Sequence, residues 1–204
     1  DLRQVAGDGL QHHLLDPRTG VVAASIAVKT ADRYYATPYV RDGRIYVAAR
    51  NQTVCADLQT GQVLWSADTS KQGSRGVGTP FVLGNELIHN TAARTLALDL
   101  STGVVRVVGN SPAGGWAVGA PAASDGTVFS GGTSMVAMDL KTGTAKWKRE
   151  FAFAEEEATS NRRQRIGGFG SPAVSGDWVY VGTDTGEICA LDKATGEVVW
   201  RFRT

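Results

Sequence analysis

Five times along the chain the pattern Asp-x-x-Thr-Gly returns: LDPRTG at Asp16, ADLQTG at Asp57, LDLSTG at Asp99, MDLKTG at Asp139 and LDKATG at Asp192. Successive aspartates stand 41, 42, 40 and 53 residues apart, so the chain is a row of units about 41 residues long with one insertion ahead of the last. A second marker precedes the last four copies, at Pro38, Pro80, Pro121 and Pro172, each in a short Gly- or Ala-led run such as GTPFV or GSPAV. Any fold for this chain must therefore be a repetition of one small unit.

The last unit reads as SPAV, a turn at Gly176-Asp177, WVYVGT, DTG, EICALD, KATG and EVVWRF: four short strands separated by turn residues. Asp42-Gly43, Gly84-Asn85 and Asp125-Gly126 occupy the same first turn in other units, and Pro opens the first strand, where a missing N–H matters least. No segment has a convincing helical period. Four-stranded antiparallel meanders repeated every 40 to 45 residues predict an all-β propeller. The blades fall at 34–66, 76–108, 117–149 and 168–202, with a partial blade at 1–25 and an extended inter-blade loop at 150–167. The first unit lacks its Pro-led strand, so the chain reads as a portion of something larger. It is expected either to be completed by further sequence or to self-associate through open sheet edges.

Composition narrows the function classes. Among 204 residues, 21 basic and 20 acidic side chains leave a net charge of +1, which gives no overall field for nucleic acid or an anionic membrane. No apolar run is long enough to be a membrane-spanning helix. Cys55 and Cys189 make neither a disulfide framework nor a zinc site and read as small core residues.

Within the repeat, Asp and Thr suit a turn capped by side-chain bonds to nearby amides, Gly allows the reversal, and a Trp on the outermost strand suits packing between sheets beside a small residue. The pattern Ala-x-Asp-x-x-Thr-Gly-x-x-x-Trp is complete at Ala137, Asp139, Thr142, Gly143 and Trp147 and again at Ala190, Asp192, Thr195, Gly196 and Trp200. It resembles the tryptophan-docking motif of the pyrroloquinoline-quinone (PQQ) dehydrogenase-like propeller repeats. The second copy keeps Trp65 but has Cys55 for Ala, the third has Val107 for Trp, and the first has Leu14 and Ala24 at those places.

The resemblance implies two classes of function. One is a non-catalytic, extracytoplasmic binding or scaffold domain without a cofactor. Its settings include the lipoprotein of the outer-membrane β-barrel assembly machinery, a sensor domain on a Ser/Thr kinase, and a propeller appended to a metallophosphoesterase. The alternative is a fragment of a PQQ-dependent oxidoreductase. Those enzymes also carry a catalytic Asp, a calcium held by Glu and Asn and commonly adjacent cysteines, a set not found in this sequence. The scaffold reading is the one adopted.

Other candidates fail on context. GVGTPF lacks the third Gly of a dinucleotide loop and leads into a strand. His12 and His13 are adjacent and face opposite sides of a strand, while His89 stands alone; all three are expected at surface or edge positions. Asn51-Gln52-Thr53 is a formal glycosylation sequon that reads as a turn.

The candidate binding residues lie in the links between blades. Counting five residues back from each marker proline gives Arg33, Arg75, Trp116 and Gly167, with Arg165 close by. In a propeller these links ring the mouth of the central channel, where arginines and an indole suit an acidic peptide or a small anionic ligand. The competing reading is solvated charge with Trp116 plugging the channel. The insertion FAFAEEEATSNRRQRIGGFG supplies a loop whose Arg162, Arg163 and Phe169 are candidate contacts for a protein partner, unless its Glu and Arg runs simply pair with each other.

Overall fold

The computed structural model describes residues 2–7, 9–16, 18–28, 36–73, 78–111, 119–150, 170–183 and 186–203. They form five antiparallel sheets that follow one another in chain order. The first has three strands, β1 (Leu2–Gly7), β2 (Gly9–Leu15) and β3 (Val22–Val28). The second holds β4 (Tyr39–Arg41), β5 (Arg44–Ala48), β6 (Gln52–Asp57) and β7 (Val63–Asp68). The third holds β8 (Phe81–Leu83), β9 (Glu86–Asn90), β10 (Arg94–Asp99) and β11 (Val105–Asn110), and the fourth β12 (Ala122–Ser124), β13 (Thr127–Ser130), β14 (Met135–Asp139) and β15 (Ala145–Arg149). The fifth holds β16 (Ala173–Ser175), β17 (Trp178–Gly182), β18 (Glu187–Asp192) and β19 (Val198–Arg203). Each four-stranded sheet is a simple meander, the blade of a β-propeller.

Turn chemistry explains the hairpins. Asp42-Gly43 and Asp125-Gly126 both adopt positive φ at two successive residues, the geometry that matches the twist of the strands they join. Gly84 and Gly176 open the same turn in the third and fifth sheets.

The core lies between sheets rather than within one. Tyr46, Cys55, Trp65 and Ala67 of the second sheet pack on Val82, Leu87, Leu96 and Leu98 of the third. Phe129, Met135 and Ala137 of the fourth pack on Val179, Val181, Cys189 and Leu191 of the fifth, with Trp147 at the margin. Cys55 and Cys189 are both buried within these layers, and burial raises both thiol pKa values.

His89 departs from its expected surface position: it is wholly buried, with Nε2 3.1 Å from Thr53 Oγ1 of the second sheet. Asn90 beside it accepts from Thr95 Oγ1 at 2.8 Å and Ser130 Oγ at 3.3 Å. A polar seam thus links three sheets, and it is built on two polar residues that directly follow Leu87 and Ile88 on one buried strand.

Candidate functional site

Each Asp-x-x-Thr-Gly segment is a turn built around one carboxylate. Asp57 Oδ1 accepts the amides of Gln59 and Thr60 at 3.0 and 2.7 Å, and the glycine amide closes on the aspartate carbonyl at 2.9 Å. The amide pair recurs at Asp16, Asp99, Asp139 and Asp192, with bonds of 2.8 to 3.0 Å. The charged form is favoured by these donors, so all five carboxyls lie below the usual range. The leading cause is the amide of Arg18, Thr60, Thr142 or Thr195 at Asp16, Asp57, Asp139 and Asp192. At Asp99 the Ser101 hydroxyl leads, and the value falls to about 2. Carboxylates held ionised in this way serve as acceptors and are poorly suited to general acid catalysis.

These turns present a glycine and a carbonyl to the preceding sheet. Trp65 donates Nε1–H to Leu100 O at 2.9 Å, and its ring covers Gly103, where an added Cβ would come within 2.6 Å of the indole. Trp147 repeats the arrangement on Lys193 O, also at 2.9 Å, over Gly196. Small residues face both indoles across the sheet: Cys55 pairs with Trp65 and Ala137 with Trp147. Lys193 Nζ closes the second joint further by reaching Asp125 Oδ2 at 3.0 Å.

Where the tryptophan is missing, the backbone comes to the glycine directly. A Cβ on Gly61 would meet Ser25 O of the first sheet, and one on Gly143 would strike Val108 O of the third. The third sheet also moves its β-bulge. In the other sheets the irregularity lies just before the aspartate, whereas here it lies between Thr95 and Leu96, so Ala97 pairs with Arg106. Arg106 then donates to Leu140 O at 2.9 Å, the carbonyl equivalent to the one an indole takes elsewhere, and clasps Glu86 at 2.7 and 2.9 Å. Sequence reasoning missed Arg106 because a one-residue bulge displacement leaves no mark in composition.

Trp200 differs from the other two indoles. It pairs with Ala190 and stacks obliquely on Tyr180 at 6.1 Å, and among the described residues no sheet covers it, leaving it 45% exposed.

A cleft of about 410 Å³ opens between the second and third sheets and is lined by Arg41, Arg44, Tyr46, Asn85, Leu100 and Ser101 among others. Its guanidinium groups are already engaged, Arg41 with Asp42 at 3.1 Å and Arg44 with Leu100 O at 3.3 Å. Among the described residues no group of three or more His, Cys, Asp or Glu side chains is placed to hold a metal. Arg33, Arg75, Trp116, Arg165, Arg162, Arg163 and Phe169 lie outside the described residues.

Residues 3–202 match the model of the family described as outer membrane protein assembly factor BamB. The chain belongs to this family of PQQ-like propellers. It is 34% identical over 86 residues to the outer membrane protein assembly factor BamB of Xanthomonas campestris pv. campestris, covering 41% of this chain and 20% of that protein. The BamB of Alteromonas naphthalenivorans is 36% identical over 76 residues, covering 33% and 18%. These matches thus span about a fifth of the length of the curated relatives. Among solved structures, BamB from Moraxella catarrhalis superposes with a TM-score of 0.67 at 19% identity, over 99% of this chain and 60% of that one. A quinohemoprotein alcohol dehydrogenase from Pseudomonas putida HK5 gives 0.68 at 20% identity, over 89% and 36%. At such identities the structural likeness establishes the propeller fold alone.

Proposed function

We propose that this chain is a non-catalytic propeller module of an extracytoplasmic scaffold, one that holds a protein partner during outer-membrane protein assembly. The observation that carries the reading is the use of the repeat's polar groups: all five motif aspartates are bound to their own turn amides, and the indoles Trp65 and Trp147 are bound between sheets. The conspicuous chemistry of the sequence builds the scaffold, and the named relatives are assembly factors. On this reading no cofactor is required.

The partner surface we assign by repeat register is the set of inter-blade links, Arg33, Arg75, Trp116 and Arg165, with Arg162, Arg163 and Phe169 of the long loop as additional contacts. Guanidinium groups around an indole suit an acidic, partly aromatic peptide segment or a small anion. Calorimetry with an acidic peptide at low and high salt tests this. Binding should weaken with salt and with Arg33→Glu or Arg75→Glu, while thermal stability stays unchanged. Binding undisturbed by both reversals would move the site elsewhere. A PQQ spectrum and dye reduction on adding PQQ and calcium would replace the scaffold reading with an oxidoreductase.

A further inference from the structure

The cleft between the second and third sheets lies where two residues depart from the repeat. At the joint between the fourth and fifth sheets, the residue after the motif aspartate is Lys193, and its Nζ crosses to Asp125 in the first hairpin of the preceding sheet at 3.0 Å. At the joint between the second and third, that residue is Leu100 and the hairpin aspartate is Asp42, which has nearly the same positive φ as Asp125. Leucine cannot make the bridge, and the space of about 410 Å³ stays open.

The second departure leaves a charge on its wall unmatched. Arg44, Glu86 and Thr127 each open the second strand of their sheet, paired with the motif aspartates Asp57, Asp99 and Asp139. Seven residues after those aspartates stand Leu64, Arg106 and Lys146. Arg106 clasps Glu86 at 2.7 and 2.9 Å and Lys146 Nζ reaches Thr127 Oγ1 at 2.6 Å, but Leu64 offers Arg44 no polar group. Among the described residues Arg44 has no carboxylate partner, and its bond to the neutral Leu100 carbonyl is long at 3.3 Å. Asp99 across the joint is occupied by the Ser101 and Thr102 donors and by Asn85 Nδ2 at 2.9 Å. Arg41 also lines the cleft, and its partner Asp42 is 84% exposed, so that pair is readily exchanged.

We infer that this cleft binds a single carboxylate group, carried by a small organic acid or by an acidic side chain of a peptide, with Arg44 as its principal partner and Arg41 as the second. The ligand supplies to Arg44 what Glu86 supplies to Arg106 one sheet further on, a carboxylate matched to the guanidinium fork. Two guanidiniums and one carboxylate line the cleft, so one further negative charge balances it, and the volume suits a small ligand. The site does not depend on the partner surface proposed above. It is formed by first hairpins and a motif turn, whereas Gly78 and Ser111, the described ends of two inter-blade links, bond to Asn90 O and Ala93 O at the opposite end of the third sheet.

Calorimetry of the 204-residue chain with butyrate, and with a short acetylated and amidated peptide carrying a lone glutamate among glycines, tests it. Binding should occur at a single site with a millimolar or tighter Kd, and butyramide and the glutamine peptide should not bind. Tighter binding of the peptide assigns the carboxylate to a protein, and equal or tighter binding of butyrate assigns it to a free acid. Arg44→Gln should weaken binding at least about tenfold. Leu100→Lys should abolish it by bridging to Asp42 as Lys193 does to Asp125, with both arginines still in place. Both variants should keep a cooperative unfolding transition, and Arg41→Gln, at a more exposed residue, should weaken binding about threefold whatever their stability. Lys141→Gln, at the exposed turn position equivalent to Ser101 in the fourth sheet, should change nothing. Failure of both acids to bind at millimolar concentration overturns the inference, as does binding at parental strength in Arg44→Gln and Leu100→Lys. Equal binding of butyramide would show that the carboxylate is not what is recognised and would also overturn it.

Discussion

The joint between the second and third sheets and the joint between the third and fourth solve one problem by different means. Both must satisfy a carbonyl one residue beyond a motif aspartate and cover a glycine at positive φ. The first uses the indole of Trp65 for both tasks. The second divides them: the Arg106 guanidinium takes the carbonyl of Leu140, and the Val108 carbonyl lies over Gly143. The tryptophan is thus replaceable, but the turn is not. What the repeat preserves is a surface without a Cβ, onto which a ring or a backbone can settle.

Removing the ring should separate the two joints most clearly. Trp65→Ala empties a site where the side chain is only 8% exposed and should cost about 3 to 5 kcal/mol by denaturant titration. Trp147→Ala, at a partly buried indole, should cost somewhat less, and Trp200→Ala, at an indole 45% exposed, least of the three. Equal losses at all three would break the comparison.

The first of these joints should also carry the pH dependence. Burial holds His89 neutral, lowering its pKa from 6.5 to about 4. The unfolded chain therefore takes up that proton first. Stability should be full above about pH 6.5, fall by an amount on the order of 3 kcal/mol as pH drops toward 4, and level off below. Urea midpoints measured at pH 7 and pH 5 should differ in the parent chain and converge in His89→Gln. The Asn90–Ser130 contact across the other joint contains no group that titrates in this range.

Glycine substitution sharpens the comparison further. Gly143→Ala combines positive φ with a clash against Val108 O and should cost about 2 to 3 kcal/mol, whereas Gly20→Ala meets open space and should cost about 1 kcal/mol. A comparably small effect belongs to Arg106→Met. Its pair with Glu86 is partly exposed, so about 1 kcal/mol and a clear salt dependence are expected in thermal unfolding.

Much of this architecture was legible in the residues. Strand alternation, Asp-Gly turns and the spacing of the aspartates identify the blades, because hairpins and capped turns are local structures whose bonds run between residues a few positions apart. The incomplete first unit could be read in the same way, and it forms three strands. Arg106 and His89 could not. Arg106 acts through a bulge displaced along its strand, and His89 is buried against Thr53, 36 positions away.

The sequence by itself therefore determined the unit: four strands, a capped turn, and a glycine left bare for a neighbour. Only the tertiary structure decided how each unit meets the next, whether by indole, guanidinium or backbone carbonyl. The physical reason is range. A turn is fixed by amides two or three residues from its aspartate, whereas a joint is fixed by packing between surfaces about a whole repeat apart, where one displaced bulge changes which side chain reaches the waiting carbonyl.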